Sequence, residues 1–170
     1  MVRIIDGSIL DAKEDIICHQ VNCQGVMGSG VAKVLCEKWP VIKKAYIRHC
    51  RRYSDPKDLL GTFQFVEIEK GKLVANVFGQ LDFGQDKYRK YTDYVALTNA
   101  FAQLRDEYHD KSLAFPHGFG CGLANGDWII VLGIIHTYFN DMDVTIYKLP
   151  DTDVASRRPS APYYTSMLIN

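Results

Sequence analysis

Two glycine-rich segments constrain this chain more than any other feature. The first is Asn22-Cys23-Gln24-Gly25-Val26-Met27-Gly28-Ser29-Gly30-Val31-Ala32, and the second is Gly118-Phe119-Gly120-Cys121-Gly122-Leu123. Each follows an apolar run that reads as a strand, and each precedes a stretch that reads as a helix. Backbone N–H groups at a strand-to-helix turn are unpaired and lie at the positive end of a helix dipole, so they bind anions. Glycine lets the backbone curl there and approach an oxygen closely. Two such turns in one chain point to a ligand with two phosphates.

The rest of the pattern supplies a frame for them. Apolar runs predict strands at residues 2–5, 16–21, 73–78, 113–116 and 144–149, and an alternating run predicts another at 62–68. Glu69-Lys70-Gly71-Lys72 is a tight turn, so 62–68 and 73–78 form a hairpin. Apolar residues at helical spacing predict helices from Gly30 to Trp39, over 41–53, over 91–108 and over 127–139. Residues 79–90 read as a polar surface loop. Strand–helix units mixed with one hairpin imply a mixed, mostly parallel sheet with helices on both faces, a three-layer α/β/α sandwich. Ligands of such sheets bind outside the carboxyl ends of strands, where both glycine turns fall.

Bulk properties exclude several classes. At 170 residues the chain fits one domain, 1–150, followed by a tail, 151–170, that is either disordered or wrapped on a surface. Twenty basic and twenty acidic residues cancel, which argues against a nucleic-acid binder working through a broad basic field. Arg48, Arg51 and Arg52 read as the solvated face of a helix. Five cysteines without a CxxC pair, and no leader segment, imply a reduced, cytoplasmic setting. No run approaches a membrane span, so no membrane partner is expected, and no spacing matches a metal site.

These segments resemble the macrodomain family, which binds ADP-ribose. The likeness covers residues 2–149, and its most specific parts are Val21-Asn22, Gly28-Ser29-Gly30-Val31-Ala32 and the second glycine turn. It is nearest to the branch that removes the terminal ADP-ribose from proteins or reverses ADP-ribosylation of DNA, and it is similar to ADP-ribose 1″-phosphate phosphatases. The resemblance implies that Ser8 and Ile9 meet the adenine and that Asn22 lies near the distal ribose. It implies that Gly28, Ser29, Gly30 and Val31 meet that ribose and one phosphate. It implies that Gly118, Phe119, Gly120, Cys121, Gly122 and Leu123 clasp the diphosphate. Most members have an aspartate where this chain has Ser8. The lysine and aspartate of the glycohydrolase branch fall here on Gly79-Gln80 and Ala124, so that mechanism is not transferred.

The implied partner is ADP-ribose or a close derivative, free or on a protein or nucleic acid, with no cofactor and no metal. The implied reaction is hydrolysis at the 1″ position of the distal ribose. The alternative is a binding module without chemistry. Asp127 has two readings, a helix N-cap and a general base. Lys87 and Lys90 are further stand-ins for the missing lysine. Cys121 is a small buried residue or a nucleophile beside His117. One of Phe83, Tyr88 and Tyr91 stacks on the ligand or belongs to the core, and His19 and Gln20 are satisfied interior polar groups, with a place at the ligand mouth as the alternative for His19.

Overall fold

The computed structural model describes residues 1–150; the tail 151–170 lies outside the described residues. Six strands form one sheet: β1 (Val2–Asp6), β2 (Ile16–Asn22), β3 (Phe63–Glu69), β4 (Lys72–Gln80), β5 (Leu113–Pro116) and β6 (Val144–Lys148). The spatial order is β1-β6-β5-β2-β4-β3. All pairs are parallel except the β3–β4 hairpin. Four helices cover it: α1 (Gly30–Lys38), α2 (Val41–Cys50), α3 (Tyr94–Tyr108) and α4 (Trp128–Phe139).

Alternation along the strands sends side chains to two cores. Ile16 and Cys18 of β2 face one layer, with Leu97, Phe101 and Leu104 of α3 and Val131, Ile135 and Phe139 of α4. Ile17 and Val21 face the other, with Leu35 of α1 and Ile42 and Tyr46 of α2. Central β5 is buried along its whole length, since strands flank it and helices cover both faces. The α/β/α sandwich expected from the pattern is therefore the fold.

Some boundaries differ from the sequence reading. β4 runs on through Gly79 and Gln80, which the polar composition assigned to a loop. The β2–β4 register shifts there, with Val21 opposite Phe78 and Asn22 opposite Gln80. A Cβ at Gly79 would lie 2.5 Å from Leu97 Cδ2 and 2.7 Å from Gln20 Oε1, so only glycine carries the strand past this crowding. α3 starts at Tyr94 rather than 91, because Thr92 bridges to Gln80 and Asp93 caps the helix by accepting from Ala96 N–H at 3.0 Å. α2 ends at Cys50, three residues early. α4 buries only some of its apolar residues: Val131, Ile135 and Phe139 are buried, while Ile129 stays 81% exposed.

Candidate functional site

A cleft of about 460 Å³ opens at the carboxyl ends of β2, β4 and β5. That is within the range of small-molecule sites, roughly 300–1,000 Å³. Both glycine segments line it. From the first come Asn22, Val26, Met27, Gly28, Ser29, Gly30, Val31 and Ala32; from the second come Gly118, Phe119, Gly120, Gly122 and Leu123.

The first loop, residues 23–29, is folded by Asn22. Its Nδ2 donates to Val26 O at 2.6 Å. Its Oδ1 accepts from Gln24 N–H at 3.0 Å, Val26 N–H at 3.4 Å and the Tyr46 hydroxyl at 2.9 Å. Tyr46 also reaches Asn22 O, at 2.7 Å. Asn22 lines the cleft, yet its amide atoms are engaged within the loop. Ser29 sits at the N-cap of α1 without a side-chain cap bond. The N–H groups from Gly28 to Ala32 therefore have no acceptor among the described residues. They carry the positive end of the α1 dipole into the cleft.

The second loop, residues 117–127, is pinned from beneath. Gly118 and Gly120 have φ of +74° and +70°, which favour glycine. Gly120 O accepts from Thr92 Oγ1 at 2.5 Å and from Gly126 N–H at 2.9 Å. Gln20 Nε2 donates to Thr92 Oγ1 at 3.0 Å and to Gln80 Oε1 at 2.8 Å. This chain of side chains ties the loop to β2 and β4. The N–H groups of Gly118, Gly120, Gly122 and Leu123 have no acceptor among the described residues. Unlike the first, this loop is not the start of a helix, because four residues separate Leu123 from α4. Its anion-binding capacity comes from the curled backbone rather than a helix dipole.

Four expected site residues do not line the cleft. The Ser8 hydroxyl caps a short 3-10 turn, accepting from Leu10 N–H at 3.2 Å, and Ile9 is buried beneath it. Cys121 donates to Phe119 O at 3.2 Å, and burial, then nearby Asp127, pushes its thiol up to about 11. The thiolate reading therefore gives way to a neutral, packed thiol. Asp127 caps α4, accepting from Ile129 N–H at 2.8 Å. Lys87 and Lys90 are also outside the lining and lie over the rings of Tyr88 and Tyr94. Of the three aromatics, Phe83 lines the cleft, whereas Tyr88 is exposed and Tyr91 lies under Arg89.

The cleft also includes His19, as its alternative reading held, and Gln20 and His117, together with Gln80 and Gln85, which the motifs did not mark as ligand contacts. None of its lining residues is a carboxylate, a lysine or an arginine. His19 Nε2 lies 2.5 Å from Asn76 Oδ1, and Asn76 Nδ2 donates to Gln64 Oε1 at 3.0 Å, so the His19 ring donates through Nε2. His19 Nδ1 and Gln20 Oε1 are buried without a partner among the described residues, so these interior groups are only partly satisfied. Burial lowers the His117 imidazole from its ordinary value, with help from Lys148.

Burial also pushes His19 down to about 4, against the opposing pull of Asn76. An unfolded histidine takes its proton near 6.5, whereas this one refuses it until far lower. Its contribution is therefore fully present above about pH 6.5 and is lost as pH falls toward 4, by roughly 3 kcal/mol. Denaturant unfolding at about pH 7.0, 5.5 and 4.5 checks this. His19→Gln should flatten the slope; an equally steep slope in that variant would refute the assignment.

The fold and the cleft together define an α/β/α sandwich with two facing, amide-rich glycine loops at its carboxyl edge. Comparison with known proteins gives the family. No family model matches the chain. It is 30% identical over 155 residues to an uncharacterised 17.5 kDa protein of Enterobacteria phage T4, covering 86% of this chain and 95% of that one. It is 36% identical over 72 residues to an ADP-ribose 1″-phosphate phosphatase of Meyerozyma guilliermondii, covering 40% of this chain and 41% of the phosphatase. It is 26% identical over 171 residues to a DNA ADP-ribosyl glycohydrolase of Mycobacterium tuberculosis, covering 94% of this chain and 43% of the glycohydrolase. The matched stretches thus cover less than half the length of each of these two enzymes. A macrodomain protein from Streptomyces coelicolor superposes with a TM-score of 0.71 at 27% identity, over 86% of this chain and 98% of that one. The chain belongs to the macrodomain family.

Proposed function

We propose that the cleft binds ADP-ribose or a close derivative and that the chain hydrolyses a group from the 1″ position of the distal ribose. The observation that carries this reading is the convergence of two sets of unpaired amides on one cleft. A pyrophosphate needs that arrangement, since each phosphate then takes N–H donors from a separate loop. In this reading Gly28, Ser29, Gly30 and Val31 meet the distal ribose and one phosphate. Gly118, Phe119, Gly120, Gly122 and Leu123 clasp the diphosphate, and Ser8 and Ile9 mark the adenine end. Related proteins named as an ADP-ribose 1″-phosphate phosphatase and a DNA ADP-ribosyl glycohydrolase support the same ligand. Free thiols at all five cysteines suit a reducing, cytoplasmic setting. Among the described residues no helix is long and apolar enough to cross a membrane.

The chemistry rests on few side chains. Water adds to the anomeric carbon as its bond to the leaving group breaks and that group departs with the bonding electrons; the diphosphate, held in place by the loop amides, offsets the positive charge that develops there. In this reading His117, a cleft-lining imidazole that burial holds below its ordinary value, accepts a proton from that water. Asp127 serves α4 as its cap. A second reading, a binding module without turnover, is favoured by the lining's lack of any carboxylate or lysine.

Calorimetry with ADP-ribose, and turnover of ADP-ribose 1″-phosphate and of ADP-ribosylated protein and DNA, separate the readings. Binding with turnover supports the hydrolase, binding alone leaves the module, and no binding refutes both. Asp127→Ala should lower stability by about 1 kcal/mol and leave turnover within twofold. Abolished turnover at unchanged stability would restore Asp127 as the base.

A further inference from the structure

Both glycine loops are tied to the carboxyl end of β4, and one residue serves both. The Gln80 carbonyl accepts from Cys23 N–H of the first loop at 3.1 Å. Its side-chain Oε1 accepts from Gln20 Nε2 at 2.8 Å. The same Gln20 nitrogen donates to Thr92 Oγ1 at 3.0 Å, and the Thr92 hydroxyl donates to Gly120 O of the second loop at 2.5 Å. Gln80 thus holds one loop with its main chain and the other through its side chain.

The direction of every bond in this chain is fixed. Gln80 Nε2 donates to Asp82 O at 2.8 Å, and a carbonyl can only accept. Gln80 must then turn its oxygen to Gln20, Gln20 must present its nitrogen, and the Thr92 proton is left for Gly120 O. Gln20 Oε1 ends buried and without a partner among the described residues. Cβ atoms added at Gly79 and Gly120 would lie 2.7 and 2.5 Å from it, so it is wedged between two residues that offer it no donor. A buried acceptor left unpaired costs stability. An apolar side chain of the same length would avoid that cost, so stability does not account for an amide at position 20. Connection between the loops does.

A second route runs outside the first. Gln24 Nε2 reaches Asp82 Oδ1 at 3.3 Å, Asp82 pairs with Arg89 at 2.7 Å, and Arg89 O accepts from Asn125 Nδ2 at 2.7 Å. The Arg89 and Asp82 side chains are 56% and 42% exposed, and exposed pairs of this kind hold little. Thr92 is buried, so the inner route is the stiffer of the two.

We propose that Gln80 is a positioning residue that couples the two glycine loops, so that order imposed on one is passed to the other. A ligand with two joined phosphates then meets both sets of amides already in register, and neither loop has to be ordered separately on binding. The part that concerns the ligand rests on the reading of the cleft given above; the coupling itself does not.

Amide hydrogen exchange, read by NMR on the full chain without ligand, tests the coupling. Thr92→Val removes the hydroxyl that holds Gly120 O and keeps the side-chain shape. It should speed exchange of the Cys23 and Gln24 amides, in the other loop, by about fivefold or more. In a Gln80→Met background the same substitution should change those rates by less than about twofold, and in an Arg89→Ala background its full effect should remain. Thr92→Ser should exchange like the wild type, and the amides of β5 should keep their rates in every variant. Unchanged Cys23 and Gln24 rates in Thr92→Val overturn the proposal, as does an undiminished effect in Gln80→Met. Acceleration shared equally by β5 marks a general loss of stability and overturns it too. Calorimetry with ADP-ribose supplies the second arm. Gln80→Met and Thr92→Val should each weaken binding about tenfold, and the double variant should be at most about twofold weaker than the weaker single. Losses that multiply, to about 100-fold, overturn the coupling. Absence of ADP-ribose binding in the wild-type chain strikes the cleft reading instead, and the exchange rates then decide the coupling by themselves.

Discussion

Gly120→Glu is expected to abolish ADP-ribose binding, with a loss of at least about 100-fold in affinity. Two effects act together. Gly120 has φ +70°, and a Cβ there would lie 2.5 Å from Gln20 Oε1 and 3.1 Å from Thr92 Oγ1. A left-handed conformation costs a residue with a Cβ roughly 1–2 kcal/mol. The crowding also breaks the Gln80–Gln20–Thr92 chain that holds the loop. The carboxylate then repels the diphosphate: at about 5 Å and an effective dielectric of about 20, one pair of charges costs about 3 kcal/mol. Gly122→Glu separates the two effects. Nothing lies within 4 Å of a Cβ at Gly122, and its backbone is not left-handed. It should keep its stability within about 0.5 kcal/mol and still lose binding by about two orders of magnitude. Calorimetry and thermal unfolding measure both. Wild-type affinity in Gly122→Glu would show that the anion does not sit at this loop.

The sequence disclosed the parts of this molecule that local chemistry dictates. The strands are apolar runs bounded by glycine or charged turns, and the helices keep their period, so the sandwich and the place of both loops were readable. The loops themselves act through backbone amides, and glycine spacing announces such a backbone directly. What lay hidden depends on pairs far apart in the chain. Gln80 and Thr92 lie 60 and 72 residues from Gln20, and the three share no pattern of their own, yet they fix the second loop. Gly79 read as a loop glycine because the side chains that crowd it, Leu97 and Gln20, come from two other elements. Asp127 had the composition of a cap and is one, whereas Asp93 was read as part of the helix it caps. Arg48, Arg51 and Arg52 read as a solvated helix face, and they are exposed without an ion pair among the described residues, although only Arg48 lies within α2.

Asn22→Ala is expected to lower stability by about 2–3 kcal/mol, a large share of what holds most domains folded. Alanine removes the acceptor of Gln24 N–H, Val26 N–H and the Tyr46 hydroxyl, and the donor to Val26 O. Asn22 itself is only 7% exposed, so water replaces these bonds incompletely. The first loop then loses the constraint that sets the direction of Gly28, Ser29 and Gly30. ADP-ribose affinity should fall about tenfold to 100-fold, because amides that must be ordered on binding bind more weakly than amides already in place. Tyr46→Phe is the companion. It removes one donor and leaves Asn22 bonded to the loop, so it should cost about 1 kcal/mol and change affinity less than threefold. The pair distinguishes a loop-shaping residue from a ligand contact. If Asn22 chiefly touches the distal ribose, as the resemblance alone implied, Asn22→Ala will lose affinity at unchanged stability. If it shapes the loop, chemical denaturation and calorimetry will record both losses together, and Tyr46→Phe will record a small part of the first.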